Sequence, residues 1–224
     1  GIYAATNFKG GSLVIKGNTI KNGAKGVYLN GPAANVYTDN DVIDGNTFTG
    51  TYHQPIYAVN TSNLQINNNI ITLNTTYSTT SFNQGVYGIY TNNCDSALQI
   101  KGNQVTISNN SGNAYGIYMT FNEAAASSPA KVMNNKVVAN TGMTGSFVML
   151  IGMLPDNMFK TDIINNVITV SSAVPGTSNS AYCSALSSKN AFNVSIYNNS
   201  LLNASPATGT SNVYNVALEI DQQS

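Results

Sequence analysis

Ile15-Lys16-Gly17-Asn18-Thr19-Ile20 decides the fold, because the chain repeats this stretch six more times. The later copies are Ile43-Asp44-Gly45-Asn46-Thr47-Phe48, Ile66-Asn67-Asn68-Asn69-Ile70-Ile71 and Ile100-Lys101-Gly102-Asn103-Gln104-Val105. Then come Val132-Met133-Asn134-Asn135-Lys136-Val137, Ile163-Ile164-Asn165-Asn166-Val167-Ile168 and Ile196-Tyr197-Asn198-Asn199-Ser200-Leu201. Three positions before the shared Asn stands Ile or Val every time, and two after it Ile, Val, Phe or Leu. Successive side chains of a strand point to opposite faces, so these columns mark inward residues on two short strands. Directly before the shared Asn only Gly or Asn occurs. Those residues best tolerate a left-handed backbone, so a sharp bend is expected there. The shared residue itself is Asn18, Asn46, Asn69, Asn103, Asn135, Asn166 and Asn199. Stacked along an axis, these side chains form a ladder that satisfies amides costly to bury bare.

Working outward, a second strand recurs between the copies: Gly1-Ile2-Tyr3, Gly26-Val27-Tyr28, Pro55-Ile56-Tyr57, Gly88-Ile89-Tyr90 and Gly116-Ile117-Tyr118. Weaker continuations are expected at Val148-Met149-Leu150, Cys183-Ser184-Ala185 and Asn215-Val216-Ala217. Alternation alone would suit an antiparallel sandwich equally well. The fixed order of motif, bend and second strand, once every 23 to 34 residues, favours a solenoid. The expected fold is all-β, a right-handed parallel β-helix of about seven coils, with residues 1–224 as one domain.

The Ile-x-Gly/Asn-Asn-x-Ile signature resembles the parallel β-helix repeat of the pectate-lyase-like superfamily, and the resemblance covers nearly the whole chain. It implies the fold and leaves the function open, since that fold hosts lyases, hydrolases, tailspikes, adhesins and surface proteins alike. The sequence opens in mid-repeat and ends on the strand-like Leu218-Glu219-Ile220. The expectation is an uncapped fragment of a longer chain, truncated at both ends, with further domains beyond it.

Composition narrows the function classes. Charged residues make up 8% of the chain, against a usual quarter. There are nine Lys, no Arg, nine acids and a net charge of zero, which argues against a nucleic-acid partner. The longest apolar run, Phe147 to Leu154, falls short of the roughly 20 residues of a membrane-spanning helix. No membrane insertion is expected. Cys94 and Cys183 fall three coils apart, roughly 14 Å at the strand spacing. A disulfide needs Cα atoms within about 7 Å, so both are expected as free thiols. Lys16 with Asp44, and Lys131 with Asp162, are expected as surface ion pairs on adjacent coils.

Two groups of residues are candidate sites. If the Ile or Val of each second strand points inward, then Tyr3, Tyr28, Tyr57, Tyr90 and Tyr118 point outward as an aromatic ladder. Such a ladder suits stacking on sugar rings. The alternative is that tyrosines simply favour strands and stack on their own kind. Asp39, Asp41 and Asp44 form an acidic cluster whose alternating carboxylates are a candidate Ca²⁺ site. Asp41 stands where Leu13, Leu64 and Leu98 stand in other coils, so it interrupts an apolar column.

Catalysis finds less support. The resemblance points to Asn-Thr-Asp, Asp-Asp, Gly-His-Gly and Arg-Ile-Lys segments in hydrolases of that superfamily and to an Arg base in its lyases; this chain carries none of them. Lys101 and Lys131 remain candidate bases of a lyase, and the single histidine, His53, lies in an expected solvated loop. The sequence therefore points to a non-catalytic structural or adhesive repeat module of a secreted or cell-surface microbial protein. Its expected partner is a polysaccharide or surface glycan, with no cofactor other than the candidate Ca²⁺. The alternative is a polysaccharide lyase or glycoside hydrolase.

Overall fold

Each copy of the motif makes two strands separated by the bend, and the intervening segment makes a third, so a coil has three faces. The computed structural model describes residues 1–4, 12–31, 38–75, 85–95, 97–109, 112–121, 128–142, 147–173, 180–205 and 213–221, and among these no helix occurs. The chain is a parallel β-solenoid whose three long sheets contain seven, seven and eight strands. The leading sheet, from Val14–Lys16 to Phe192–Tyr197, carries the residues before each bend. The trailing sheet, from Thr19–Lys21 to Ser200–Asn203, carries those after it. The third, here the tyrosine sheet, runs from Ile2–Ala4 to Val213–Asp221.

Register follows the sequence columns. In the leading sheet Ile15, Ile43, Ile66, Ile100, Val132, Ile163 and Ile196 are successive partners. In the trailing sheet the succession is Ile20, Phe48, Ile71, Val105, Val137, Ile168 and Leu201. Nearly all of these are buried in one continuous apolar core. The bend takes the conformation its residues allow: Gly17, Gly45, Asn68, Gly102, Asn134, Asn165 and Asn198 all have φ between 53 and 67°.

The Asn column that follows the bend is a continuous hydrogen-bond ladder. In each step one Asn Oδ1 accepts both the backbone N–H and the side-chain Nδ2–H of the Asn one coil earlier. Asn69 N and Nδ2, for example, lie 2.9 and 3.0 Å from Asn103 Oδ1. Each Nδ2 also donates to a backbone carbonyl of that earlier coil, as Asn103 Nδ2 does to Ile66 O at 2.8 Å. The ladder runs unbroken from Asn18 to Asn199. Buried amides at Asn46, Asn69, Asn103, Asn135 and Asn166 are thereby satisfied on both ends, the condition for burying them without penalty.

The tyrosine sheet departs from the expected alignment in its last three strands. The partners that continue from Ile117 are Met153, Leu186 and Leu218. The continuing segments are therefore Gly152-Met153-Leu154, Ala185-Leu186-Ser187 and Ala217-Leu218-Glu219. The expected ones lie four, two and two residues too early. Gly152-Met153 and Ala185-Leu186 each place two residues inward in succession, so the slip also moves Met149 from the expected inner face to the outer one.

This sheet also holds a steric device. A Cβ added to Gly26 would sit 2.6 Å from a Phe48 ring carbon, and the same construction at Gly88, Gly116 and Gly152 meets Val105, Val137 and Ile168. These glycines seat the inward side chains of the trailing sheet. Each is followed by a second core residue, Val27, Ile89, Ile117 or Met153. Two inward residues in succession break strict alternation. As a result Tyr87 and Tyr90, three apart, share the outer face.

An aromatic cleft on the tyrosine sheet

The five expected tyrosines do form one outer column, Tyr3, Tyr28, Tyr57, Tyr90 and Tyr118 in successive register. Their faces, however, are turned on one another. Centroids of Tyr3–Tyr28, Tyr28–Tyr57 and Tyr57–Tyr90 are 4.8, 4.9 and 4.9 Å apart, with planes within 10° of parallel. Lys25 Nζ lies 4.0 and 3.9 Å from the Tyr28 and Tyr57 centroids and covers their side, a cation–π contact at partial burial. Burial lowers the Lys25 pKa. Burial, with Tyr90 and Tyr28 alongside, pushes the Tyr57 phenol up to about 12.

At Tyr118 the ladder changes. Tyr90 and Tyr118 meet edge to face at 5.5 Å, and Tyr118 instead stacks on Tyr87 and Tyr115. Tyr87 and Tyr115, themselves stacked at 5.0 Å, belong to a second outer column that the sequence reading missed. The signal was present as Val86-Tyr87-Gly88 and Ala114-Tyr115-Gly116. Strict alternation sends those rings to the opposite face from Tyr90 and Tyr118, and only the paired inward residues after them bring all four together.

The result is a second apolar cluster outside the solenoid core: Tyr87, Tyr115, Met149, Ile151 and Leu154, flanked by Tyr90, Tyr118 and Tyr182. Beside it opens a cavity of about 380 Å³ whose walls include the four rings of Tyr87, Tyr90, Tyr115 and Tyr118 together with Asn92, Thr120, Phe121, Asp156 and Lys189. The polar wall is ordered. Tyr118 Oη donates to Asp156 Oδ2 at 3.3 Å. Asn157 Nδ2 and Asn190 Nδ2 donate to Asp156 Oδ1 at 2.9 and 3.4 Å. Lys189 is the register partner of Asp156 and holds its ammonium 4.9 Å from the Tyr182 ring centroid. Thr120 Oγ1, buried in the same wall, closes no hydrogen bond of regular geometry, its polar neighbour being the Tyr118 phenol. Burial raises the pKa of Tyr87, Tyr115 and Tyr118, with the Asp156 charge adding to the last. All three stay protonated donors across the physiological range.

The acidic cluster does not converge. Asp41, 1% exposed, turns Oδ1 to the Leu13 backbone N–H at 2.9 Å, which explains a carboxylate in an apolar column. Asp39 accepts from Asn63 Nδ2 at 2.7 Å. Asp44 pairs with Lys16 Nζ at 3.0 Å and accepts from Asn68; the Lys16 hydrogen bond is the main reason its pKa is lowered. Among the described residues no three His, Cys, Asp or Glu side chains gather as metal ligands. The three candidate Ca²⁺ ligands Asp39, Asp41 and Asp44 thus make three separate structural contacts.

Other expected residues fall elsewhere. Lys131 and Asp162 are register partners, but among the described residues they close no ion pair. Lys131 lines a separate hollow of about 310 Å³ with Gln65 and Gln99 on the leading sheet, and Lys101 is exposed on that sheet. Neither reaches the aromatic cleft. His53 is half-buried rather than solvated, its ring 6.4 Å from Tyr87, and burial lowers its pKa, with Lys25 adding to the effect. Cys94 and Cys183 are free thiols, both buried, and burial pushes the Cys94 pKa up to about 11. They are inert by burial. No known family model matches this chain, and no curated protein or solved structure is similar to it.

Proposed function

We propose that the chain is a non-catalytic repeat module of a secreted or cell-surface protein that holds a carbohydrate on the outer face of its tyrosine sheet. The observation that carries this reading is the aromatic cleft. Large apolar rings on the outside of a β-solenoid contribute nothing to its own core, yet four tyrosines are gathered there, and the hydroxyl of one, Tyr118, donates to a fixed carboxylate. Concave, mainly apolar walls with a few oriented polar groups are what small-ligand sites share. Aromatic faces and edges combined with hydroxyl acceptors suit the two sides of a sugar ring. Among the described residues Asp156 is the only carboxylate lining the cleft. Glycoside hydrolysis takes a pair, about 5 to 9.5 Å apart.

The test is incubation of the protein with a panel of polysaccharides, scored for retention and for new reducing ends or unsaturated products. The expected outcome is retention of at least one polymer without cleavage. Retention should be lost in a Tyr90→Ala, Tyr118→Ala double variant and kept in Tyr3→Ala. Retention that survives the double variant contradicts the cleft as the site.

One observation favours the second reading, a polysaccharide lyase or glycoside hydrolase of the pectate-lyase-like superfamily. Lys25, its basicity lowered by burial, lies on a strand of the tyrosine sheet, and His53, in the bend just before the next strand Gln54–Val59, is close enough for the Lys25 charge to depress its pKa. That is a plausible arrangement for proton abstraction. Unsaturated products that vanish in Lys25→Met select this reading over the first.

A further inference from the structure

The chain leaves the tyrosine sheet with the same backbone hydrogen bond in six coils, and in five of them through a left-handed residue, Gly31 being the exception. The turn residues are Gly31, Asn60, Asn93, Phe121, Asn157 and Asn190, each donating its backbone N–H to the last residues of the next strand. The five that are not glycine have φ of 48 to 55°. Four of the five are Asn, which tolerates that region; a bulky side chain there is an outlier. Phe121 gains no burial in exchange, since it is 57% exposed. Nor is it engaged like the ladder tyrosines: among the described residues no aromatic ring stacks on it. A strained, exposed ring that the fold does not need marks a functional position.

Its neighbour is Asp156. The Phe121 N–H donates to the Asp156 backbone carbonyl at 3.2 Å, so the ring and the carboxylate belong to adjacent coils at the same corner of the cleft. Both carboxylate oxygens accept from neutral donors, namely Tyr118, Asn157 and Asn190, and among the described residues no cation closes an ion pair with them. The lysine nearest in register, Lys189, is placed over Tyr182. A second carboxylate arriving here would meet Asp156 as a like charge in a partly desolvated wall. Sugar hydroxyls would meet it as donors to a charged acceptor, the stronger class of hydrogen bond.

We infer that Phe121 is the platform on which one sugar ring stacks and that Asp156 accepts hydroxyls of the same ring, so that the cleft takes the neutral pyranose end of a glycan and disfavours a uronate. The inference rests on the carbohydrate reading above and adds the class of sugar. A cavity of about 380 Å³ is at the small end of ligand pockets, which run from about 300 to 1,000 Å³. It fits a chain end better than a long polymer segment.

The experiment measures binding of the full chain to short oligosaccharides ending in neutral hexoses, in uronates and in amino sugars, by titration calorimetry. Variants are Phe121→Asn, Phe121→Trp and Asp156→Asn, with circular dichroism to confirm the fold. Phe121→Asn installs the residue that four other coils carry at this turn, so folding is preserved. Expected is a neutral-sugar preference, affinity at least about tenfold weaker in Phe121→Asn, and near-native affinity in Phe121→Trp. Asp156→Asn should weaken the neutral sugar by about tenfold and narrow its advantage over the uronate. If the native chain binds sugar and Phe121→Asn binds it equally, the platform is wrong and the carbohydrate reading stands. If the uronate or amino sugar binds more tightly than the neutral sugar, the assigned class is wrong. If the native chain binds none of them, both readings fall.

Discussion

Asparagine, 35 of the 224 residues, has two separate tasks in this chain. In the ladder it acts through its amide, with the oxygen accepting twice and the nitrogen donating to a carbonyl and to the next side chain. At the turns it acts through its backbone: among the described residues fourteen that are not glycine have positive φ, of which twelve are Asn, and the others are Phe121 and Lys160. The two tasks respond differently to substitution. Asn103→Leu keeps the volume but removes the side-chain acceptor of the Asn69 N–H, a donor to the Ile66 carbonyl, and one of the two bonds of Asn69 Nδ2 and of Asn135 Oδ1, so a loss of about 3 kcal/mol is expected. Asn18→Leu, at an exposed position, should cost about 1 kcal/mol or less. Urea midpoints compare the two, and equal losses would contradict the ladder as a source of stability. At the turn the sign reverses. Phe121→Asn relieves a strained backbone and should stabilise by about 1 kcal/mol, raising Tm by about 2–4 °C. A lowered Tm would mean that the ring is needed for folding.

At the scale of the strand, the shape of the coil is set by which residues can be small. Gly26, Gly88, Gly116 and Gly152 leave room for Phe48, Val105, Val137 and Ile168 of the facing sheet, while Ala185 fills the same column one coil further on. Gly116→Ala should therefore cost about 1–3 kcal/mol through overpacking against Val137 and the Gly152 carbonyl. Ala185→Gly, which only removes a buried methyl and loosens the chain, should cost about 1 kcal/mol. Thermal melts distinguish the two, and a harmless Gly116→Ala would mean that the sheets separate easily. The same glycines show how far the sequence could be read. The motif strands, the left-handed bends and the Asn column were legible because each rests on a local backbone or hydrogen-bond requirement. The register of the last tyrosine-sheet strands was not, because two inward residues in succession, at Gly152-Met153 and Ala185-Leu186, upset the alternation that would align them. The second tyrosine column was also hidden, since Gly88-Ile89 and Gly116-Ile117 each place two residues inward in succession.

For the whole molecule, the outer aromatic column makes stability depend on alkaline pH. Burial raises the Tyr57 phenol to about 12 in the folded chain, against 10.0 as its reference value. Below about pH 10 both folded and unfolded phenols are protonated and the contribution is complete. Above it the unfolded chain ionises first, so stability falls as pH rises toward 12. Tyr87, Tyr115 and Tyr118, raised further, add to the same fall. Melting temperatures at about pH 8 and pH 11, read beside phenolate absorbance, should show the tyrosinate of the buried column emerging together with unfolding; complete ionisation of the tyrosines near pH 10 at constant Tm would contradict the buried column. Of the site itself, the sequence revealed the aromatic face but not the cleft, because Asp156, Phe121 and Lys189 come from three coils and carry no motif. The acidic cluster that did stand out along the chain serves three separate structural contacts. The most direct measurement is a crystal structure of the chain with a neutral oligosaccharide that it retains. Expected is an intact glycan with its terminal ring against Phe121 and hydroxyls on Asp156. A glycan lying instead along Lys25 and His53, or found cleaved, would contradict the account.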